Sequence, residues 1–150
     1  MIAFVSRLIG TIAVALALLA PVARAEDMAA PTGEVILTVS GAIGTTNGDG
    51  VLALDAALLG GLPQTSFATS TIWTEGSHSY SGVLLRDLLE AAGATGGTVV
   101  LTALNDYQIS IPVTDAREDG PLLAYLSDGE PMSVRDKGPV WMIYPYDEVA

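Results

Sequence analysis

The chain has 150 residues and a formal net charge of −11 at pH 7, because 17 acidic residues oppose 6 basic ones. Such an acidic surface repels nucleic acid and anionic lipid, so binding to DNA, RNA or a membrane surface is a poor hypothesis. The sequence has no cysteine, which excludes a disulfide, a thiol nucleophile and a thiolate metal ligand. Its single histidine, His78, cannot form a histidine cluster for zinc, and we interpret it as a turn or surface residue.

The N-terminus has the pattern of a signal peptide, residues 1–25. Arg7 precedes an apolar stretch, residues 8–20. The three residues before the predicted cleavage site, which end at Ala25, have the small-x-small pattern that signal peptidase recognises. No twin-arginine pair precedes the apolar stretch, so we expect export by the general secretory route. A polar, proline-containing lead-in at residues 26–33 is predicted to be mobile, followed by one domain over residues 34–150.

The first half of the domain predicts short strands and helices. Alternating apolar and polar residues predict a strand at 35–39, and the Asn-Gly and Asp-Gly dipeptides within 45–50 predict a turn. Asp55 is a predicted N-cap for a helix over 56–59. A strand rich in Thr, Phe, Ile and Trp is predicted at 65–73.

A polar turn and a short linker are predicted next, at residues 74–82. They lead to an amphipathic helix over 83–92, which places four leucines on one stripe and ends at Gly93. Two β-branched strands, 98–104 and 108–113, are predicted to form a hairpin.

The C-terminal third predicts an acidic loop, an apolar run at 121–126, a hairpin turn and a last buried strand at 140–144. The whole pattern predicts an α+β domain with mostly antiparallel pairing. Because the chain stops directly after an aromatic strand, a final strand of the sheet is expected to be missing.

Three polar clusters lie within or beside the predicted strands. Their members are Thr69-Ser70-Thr71 with Trp73, Asn105-Asp106-Tyr107, and Arg135-Asp136-Lys137 with Trp141. Carboxylates and amides can bond to the edge of a flat, nitrogen-rich heterocycle, and aromatic rings can stack on its face. Ordinary turn residues and core aromatics would give the same composition. No cluster is a catalytic motif, and the acids offer no preferred carboxylate pair for hydrolysis.

Three segments together resemble the molybdopterin-binding domain of the sulfite-oxidase type. They are ATSTIWTEGSHSYSGVLLRDLLEAAGA (68–94), LNDYQISIPVTD (104–115) and DGEPMSVRDKGPVWMIYP (128–145). The resemblance implies the α+β sulfite-oxidase fold, with a pterin held near the three polar clusters. It also implies a molybdenum ligand, a cysteine thiolate, near residues 69–73. This chain has no cysteine there, and an alcohol is a poor substitute for a thiolate.

The chain therefore looks closer to short, cysteine-less, periplasmic members of the family that bind a reduced pterin and signal to a membrane-bound partner. Such a resemblance implies a C-terminally truncated domain and no catalytic or metal-binding residue. It also implies a set of pterin-binding residues, namely Asn105, Asp106, Tyr107, Arg135, Lys137, Gly138 and Trp141, with Trp73 as a further candidate.

The sequence leaves three functions open. The first is an exported, non-catalytic pterin-binding protein that reports its ligand to a membrane-bound signalling protein. The second is a molybdenum-cofactor oxidoreductase of the sulfite-oxidase type, with a metal ligand other than cysteine. The third is an acidic interaction module without a ligand.

Overall fold

The structure, a computed structural model, describes residues 28–148. The predicted signal peptide and the first two residues of the predicted lead-in lie outside the described residues. Between residues 28 and 148, no helix is long and apolar enough to cross a membrane.

Nine short strands and two short helices make up the described chain. The strands are β1 (Val35–Val39), β2 (Leu52–Asp55), β3 (Thr65–Ser70), β4 (Ser77–Leu84), β5 (Thr98–Thr102), β6 (Gln108–Pro112), β7 (Leu122–Ser127), β8 (Glu130–Pro131) and β9 (Trp141–Ile143). The helices are α1 (Ala56–Gly60) and α2 (Leu85–Ala91), and 3-10 turns occupy Val113–Asp115, Val134–Asp136 and Tyr146–Glu148. Every strand pair is antiparallel, which confirms the α+β class and the predicted pairing.

The strands form one five-stranded sheet and two hairpin-like pairs. In the larger sheet β4 lies between β3 and β7, and β7 also pairs with β8 and β9. β1 pairs with β2, and β5 pairs with β6, each as a separate two-stranded sheet. The predicted strand at 35–39 and the predicted hairpin after residue 98 are confirmed.

The prediction for residues 77–84 was wrong, because these residues form a strand. Residues 77–82 were predicted as turn and linker, with a helix from residue 83, whereas β4 continues to Leu84 and α2 begins at Leu85. Serine and glycine are poor strand formers, and this stretch alternates serine with other residues. Pairing with both β3 and β7 overrides that low local preference.

Asp55 is the N-cap of α1, as predicted. Its Oδ1 accepts a hydrogen bond from the Leu58 N–H at 2.8 Å, and its Oδ2 accepts from the Thr32 and Gly33 N–H groups at 2.9 and 2.8 Å. These bonds lower the pKa of Asp55, the Leu58 bond most strongly. The last residues of the predicted lead-in are therefore bound to the domain.

Two groups of buried side chains form the core. The larger joins α1, α2 and β2 to the central sheet through residues such as Leu54, Leu59 and Leu88. The smaller lies on β4, β7 and β9, and includes Tyr80, Leu122 and Ile143. Trp141 and Phe67 are partly buried and pack against the smaller group, so aromatic side chains lie between this part of the core and the protein surface.

Candidate functional site

Four aromatic side chains meet beside the smaller core group, and we call them the aromatic cluster: Trp73, Tyr80, Trp141 and Tyr146. The Tyr80 and Trp141 rings are 5.8 Å apart between centroids at an interplanar angle of 86°, an edge-to-face contact. Trp73 lies 6.0 Å from Trp141 and 6.4 Å from Tyr146. Such contacts each contribute about 0.5–1.5 kcal/mol beyond the buried area.

Strand pairing explains how Tyr80 and Trp141 come together. Tyr80 pairs with Ser127 of β7, and Trp141 pairs with Ala124 of the same strand, so β7 carries both neighbours. Tyr80 is almost fully buried, whereas Trp73, in the turn after β3, is 55% exposed. The cluster therefore has a fixed inner part and an accessible outer part.

A cleft of about 200 Å³ opens beside this cluster. Tyr80 and Trp141 form part of its wall, together with His78 and Met132. Its polar lining includes Thr74, Ser127, Glu130, Ser133, Asp136 and Lys137. The cleft is smaller than the ~300–1,000 Å³ of most small-molecule sites, so it suits part of a flat ring rather than a bulky ligand.

The segment from Val134 to Gly138 shapes one wall of the cleft. Lys137 has a left-handed backbone with φ 74°, and its Nζ lies 6.0 Å from the centre of the Trp141 ring. A Cβ on Gly138 would overlap the carbonyl oxygen of Met132 and lie 2.8 Å from that of Ser133. Gly138 therefore allows a close approach of two backbone segments, which is a structural reason for glycine at this predicted site position.

Arg135 and Lys137 differ from the other cations of the described chain. Arg86 pairs with Asp87, and Arg117 pairs with Asp119, but neither Arg135 nor Lys137 forms an ion pair within residues 28–148. Two cations without acidic partners are unusual on so acidic a protein. Of the two, Lys137 lines the cleft, where it lies beside Asp136, and Arg135 belongs to the adjoining 3-10 turn.

His78 is bound at both ring nitrogens. Nδ1 lies 2.7 Å from Asp128 Oδ2, and Nε2 lies 2.9 Å from the Glu75 carbonyl oxygen. Both partners are acceptors, so the geometry favours a doubly protonated imidazolium that donates twice. The Asp128 hydrogen bond, followed by the Glu75 bond, raises the pKa of His78. His78 thus connects the turn before β4 to the turn after β7, a role that the sequence did not predict.

The end of β3, where the family resemblance implied a metal ligand, is closed by hydrogen bonds. Asp147 accepts from the Ser70 N–H at 2.7 Å and from the Ser70 hydroxyl at 2.6 Å. Thr69 is fully buried, and its hydroxyl accepts from the Asp147 N–H at 3.2 Å. The Thr71 hydroxyl bonds to that of Thr74. These hydroxyls already have partners, and none is a thiolate.

The cysteine thiolate that the family resemblance implied for molybdenum is absent from the sequence. Nowhere from Met28 to Glu148 do three His, Cys, Asp or Glu side chains form a group that could hold a metal. Hydroxyls that hydrogen-bond within β3 and its turn are weak substitutes for an anionic sulfur ligand. The site thus offers aromatic and polar groups that could contact the ring of a pterin, with hydroxyls where the thiolate was implied.

The predicted residues Asn105, Asp106 and Tyr107 lie elsewhere, at the tip of the β5–β6 hairpin. Asp106 has a left-handed backbone with φ 64°, and the Ala103 N–H donates to the Tyr107 carbonyl at 2.8 Å. The Tyr107 side chain is 64% exposed. No hydrogen bond, ion pair or aromatic contact within the described chain joins this tip to the cleft.

The structure thus brings Trp73, Lys137, Gly138 and Trp141 together, with Arg135 in the same turn. Sequence reasoning missed Tyr80, His78 and Met132, which line the cleft, and Tyr146, which contacts Trp73. The alternation of His78, Tyr80 and Gly82 with serines was an available strand signal, and it would have placed His78 and Tyr80 on one face.

Comparison with known proteins decides the family. The model of a family described as the oxidoreductase molybdopterin binding domain matches residues 62–147. The chain belongs to this family. Every member of the aromatic cluster falls within the stretch that matches the molybdopterin-binding domain.

A solved structure shows the same fold. The chain resembles the crystal structure of the sulfane dehydrogenase SoxCD from Paracoccus pantotrophus, with a TM-score of 0.54 and 19% sequence identity. The similarity covers 73% of this chain and 33% of that chain, so the molybdopterin-binding domain described here spans about a third of that longer chain. A comparison with curated proteins found no match.

Proposed function

We propose that this protein is an exported, non-catalytic pterin-binding protein that reports its ligand to a membrane-bound signalling protein. One combination carries the proposal: a molybdopterin-binding family domain keeps an accessible aromatic cluster and lacks a ligand set for the metal in its described residues. That combination supports the binding of a pterin ring without metal chemistry.

The cleft offers the contacts that a pterin needs. Trp141 contacts Tyr80 edge to face and presents an aromatic surface, while half-exposed Trp73 adds a second indole beside it. The carboxylates of Glu130 and Asp136 line the same cleft and can accept N–H bonds from an amino-pyrimidinone edge. Lys137 lies beside Trp141 and can contact an anionic substituent.

A second candidate is a molybdenum-cofactor oxidoreductase, because the matched family is described as an oxidoreductase domain. That function needs a metal ligand in place of the absent cysteine. The two candidates share the fold and the cleft, and they differ in whether molybdenum is bound.

Analysis of the protein purified from the periplasm, without reconstitution, distinguishes them. Native mass spectrometry gives the mass of the bound ligand, fluorescence of the released ligand identifies a pterin, and elemental analysis gives the molybdenum content. We expect a metal-free pterin. Stoichiometric molybdenum would establish the oxidoreductase instead, and an empty protein that also fails to bind added reduced pterin would leave the acidic interaction module.

The reporting role needs a separate experiment, because a ligand can alter a partner only if that partner distinguishes the bound protein from the free one. Photo-crosslinking in membranes that contain the candidate partner, with and without reduced pterin, measures this difference. We expect the crosslinked yield to change with pterin. Equal yields in both conditions would contradict the reporting role and leave pterin binding intact.

A further inference from the structure

A second concave surface lies away from the cleft, between β1, β5 and α2. It is a groove of about 590 Å³, lined by every residue of β1 and of β5. Leu85, Leu88 and Leu89 of α2 and Leu123 of β7 also line it. The groove and the cleft share no lining residue.

Apolar strands around this groove are incompletely covered. β1 and β5 have the sequences VILTV and TVVLT, and none of their residues is buried. Val35, Val100 and Leu104 are 44%, 56% and 75% exposed, and all three line the groove. Contiguous exposed apolar residues of this kind mark interaction surfaces in soluble proteins.

Both strands also have a backbone edge without a partner. In the described chain β1 pairs only with β2, and β5 pairs only with β6, so each has one edge whose N–H and C=O groups enter no ladder. An unpaired edge is a template for another strand. Here two such strands line the same groove.

One end of the groove is closed by a backbone contact. The Thr95 N–H, three residues before β5, donates to the Ala42 carbonyl at 2.9 Å, three residues after β1. The C-terminal end of β1 is therefore fastened to the N-terminal end of β5. An inserted segment would enter from the opposite end, beside Val35 and Thr102.

Charge restricts the occupant further. None of the residues that line the groove is charged, although the chain carries 17 acids and 6 cations. A charged side chain buried there would lose its hydration without gaining a partner. The inserted part of any occupant must therefore be uncharged and apolar on at least one face.

We propose that the groove binds an extended, uncharged segment of a partner protein, which inserts as a strand between β1 and β5. The insertion would join the two separate pairs into one five-stranded sheet, and about five residues of strand, ~17 Å, would match the length of β1. Side chains on one face of the segment would cover α2. The proposal does not depend on pterin binding.

A capped seven-residue peptide of alternating valine and threonine is a suitable probe. Two control peptides carry N-methyl groups on alternate amides, one set facing each groove edge. Each therefore loses its N–H donors to one strand and keeps its side chains. Hydrogen exchange of the purified protein is measured with and without each peptide. We expect the unmodified peptide to slow exchange in residues 35–39 and 98–102 by about tenfold or more, and both methylated peptides to bind about tenfold more weakly.

A matched pair of variants tests the location. Val100→Asp places a charge in the groove at an exposed position, and Ile72→Asp places one at an exposed position outside it. We expect only Val100→Asp to weaken peptide binding, again by about tenfold or more.

Several results would overturn the proposal. Absence of protection by the unmodified peptide would remove the strand site, and equal binding of the methylated peptides would make the groove a site for apolar side chains or small ligands. A dimer of the protein alone, with these amides already protected, would identify a second copy as the occupant. Because the groove and the cleft are separate, none of these results bears on the pterin proposal.

Discussion

The indole rings of Trp73 and Trp141 meet edge to face, 6.0 Å apart between centroids and at an interplanar angle of 73°. Trp141 belongs to β9 and contacts buried Tyr80 on its other side, whereas Trp73 lies in the turn after β3 and is half exposed. One tryptophan is therefore packed against the core, and the other meets it from the protein surface. The two rings together offer aromatic surface to a flat ligand.

Truncation of the fixed ring should weaken pterin binding. We expect Trp141→Ala to cost about 0.5–1.5 kcal/mol of binding free energy, roughly a 2- to 12-fold rise in Kd, because an aromatic contact is lost. Trp141→Phe should retain most of the affinity. Calorimetric titration with reduced pterin measures both variants, and circular dichroism checks that they fold.

A variant at the tip of the β5–β6 hairpin serves as the comparison for the Trp141 variants. Asp106→Asn removes the charge and tolerates the left-handed backbone, since asparagine adopts positive φ readily. We expect Kd within twofold of the original protein because no contact joins the tip to the cleft. A loss of about 1–3 kcal/mol would instead place the Asp106 carboxylate on the pterin, in agreement with the prediction from the family resemblance.

Local signals in the sequence were sufficient for elements that depend on neighbouring residues. The strand at 35–39 follows from alternation, and the N-cap of α1 follows from Asp55 before an apolar run. β4 was missed although its residues alternate, because its serines and Gly82 have low strand preference and its pairing with β7 is distant in sequence.

The candidate site was likewise predicted only in part, for the same reason. Composition identified Trp73, Lys137 and Trp141, and these side chains do lie near one another. The contact of Tyr80 with Trp141 depends on the register of β4 and β9 against β7, which no local pattern contains. Whether the hairpin tip contributes to the site stays a prediction.

Gly82 should be essential for the close approach of β4 to β7. A Cβ at this position would overlap the Leu123 carbonyl oxygen and lie 2.9 Å from the Ala124 Cα. We expect Gly82→Ala to lower the free energy of unfolding by about 1–3 kcal/mol, as overpacking of a core does. Gly97→Ala is the control, because a Cβ there meets nothing within 4 Å. Urea unfolding measures both, and equal stability of the two variants would contradict this prediction.

Asp147 should hold the final turn against β3. Asp147→Ala removes both bonds from Ser70, so we expect a lower Tm. We also expect weaker pterin binding, because the turn that carries Tyr146, a neighbour of Trp73, is held less firmly to β3. Glu148→Ala is the control, since no side-chain hydrogen bond or ion pair of Glu148 occurs within residues 28–148. Thermal unfolding and pterin titration measure both variants. A Tm for Asp147→Ala equal to that of Glu148→Ala would show that the Ser70 contact contributes little.

His78 should make stability depend on pH near neutrality. The Asp128 hydrogen bond raises the pKa of His78, so its contribution is complete below the ordinary histidine value of about 6.5 and is lost as pH rises through the raised value. The same hydrogen bond, with that from the Ser79 N–H, lowers the pKa of Asp128, so its contribution is present above about 3.9 and is lost as pH falls through the lowered value. The pair is therefore fully stabilising between about pH 4 and 6.5. We expect Tm to fall from pH 5.5 to pH 8.5, and to fall less in His78→Asn. No other histidine is present in the chain, so an equal fall in both proteins would mean that the pair does not stabilise the fold.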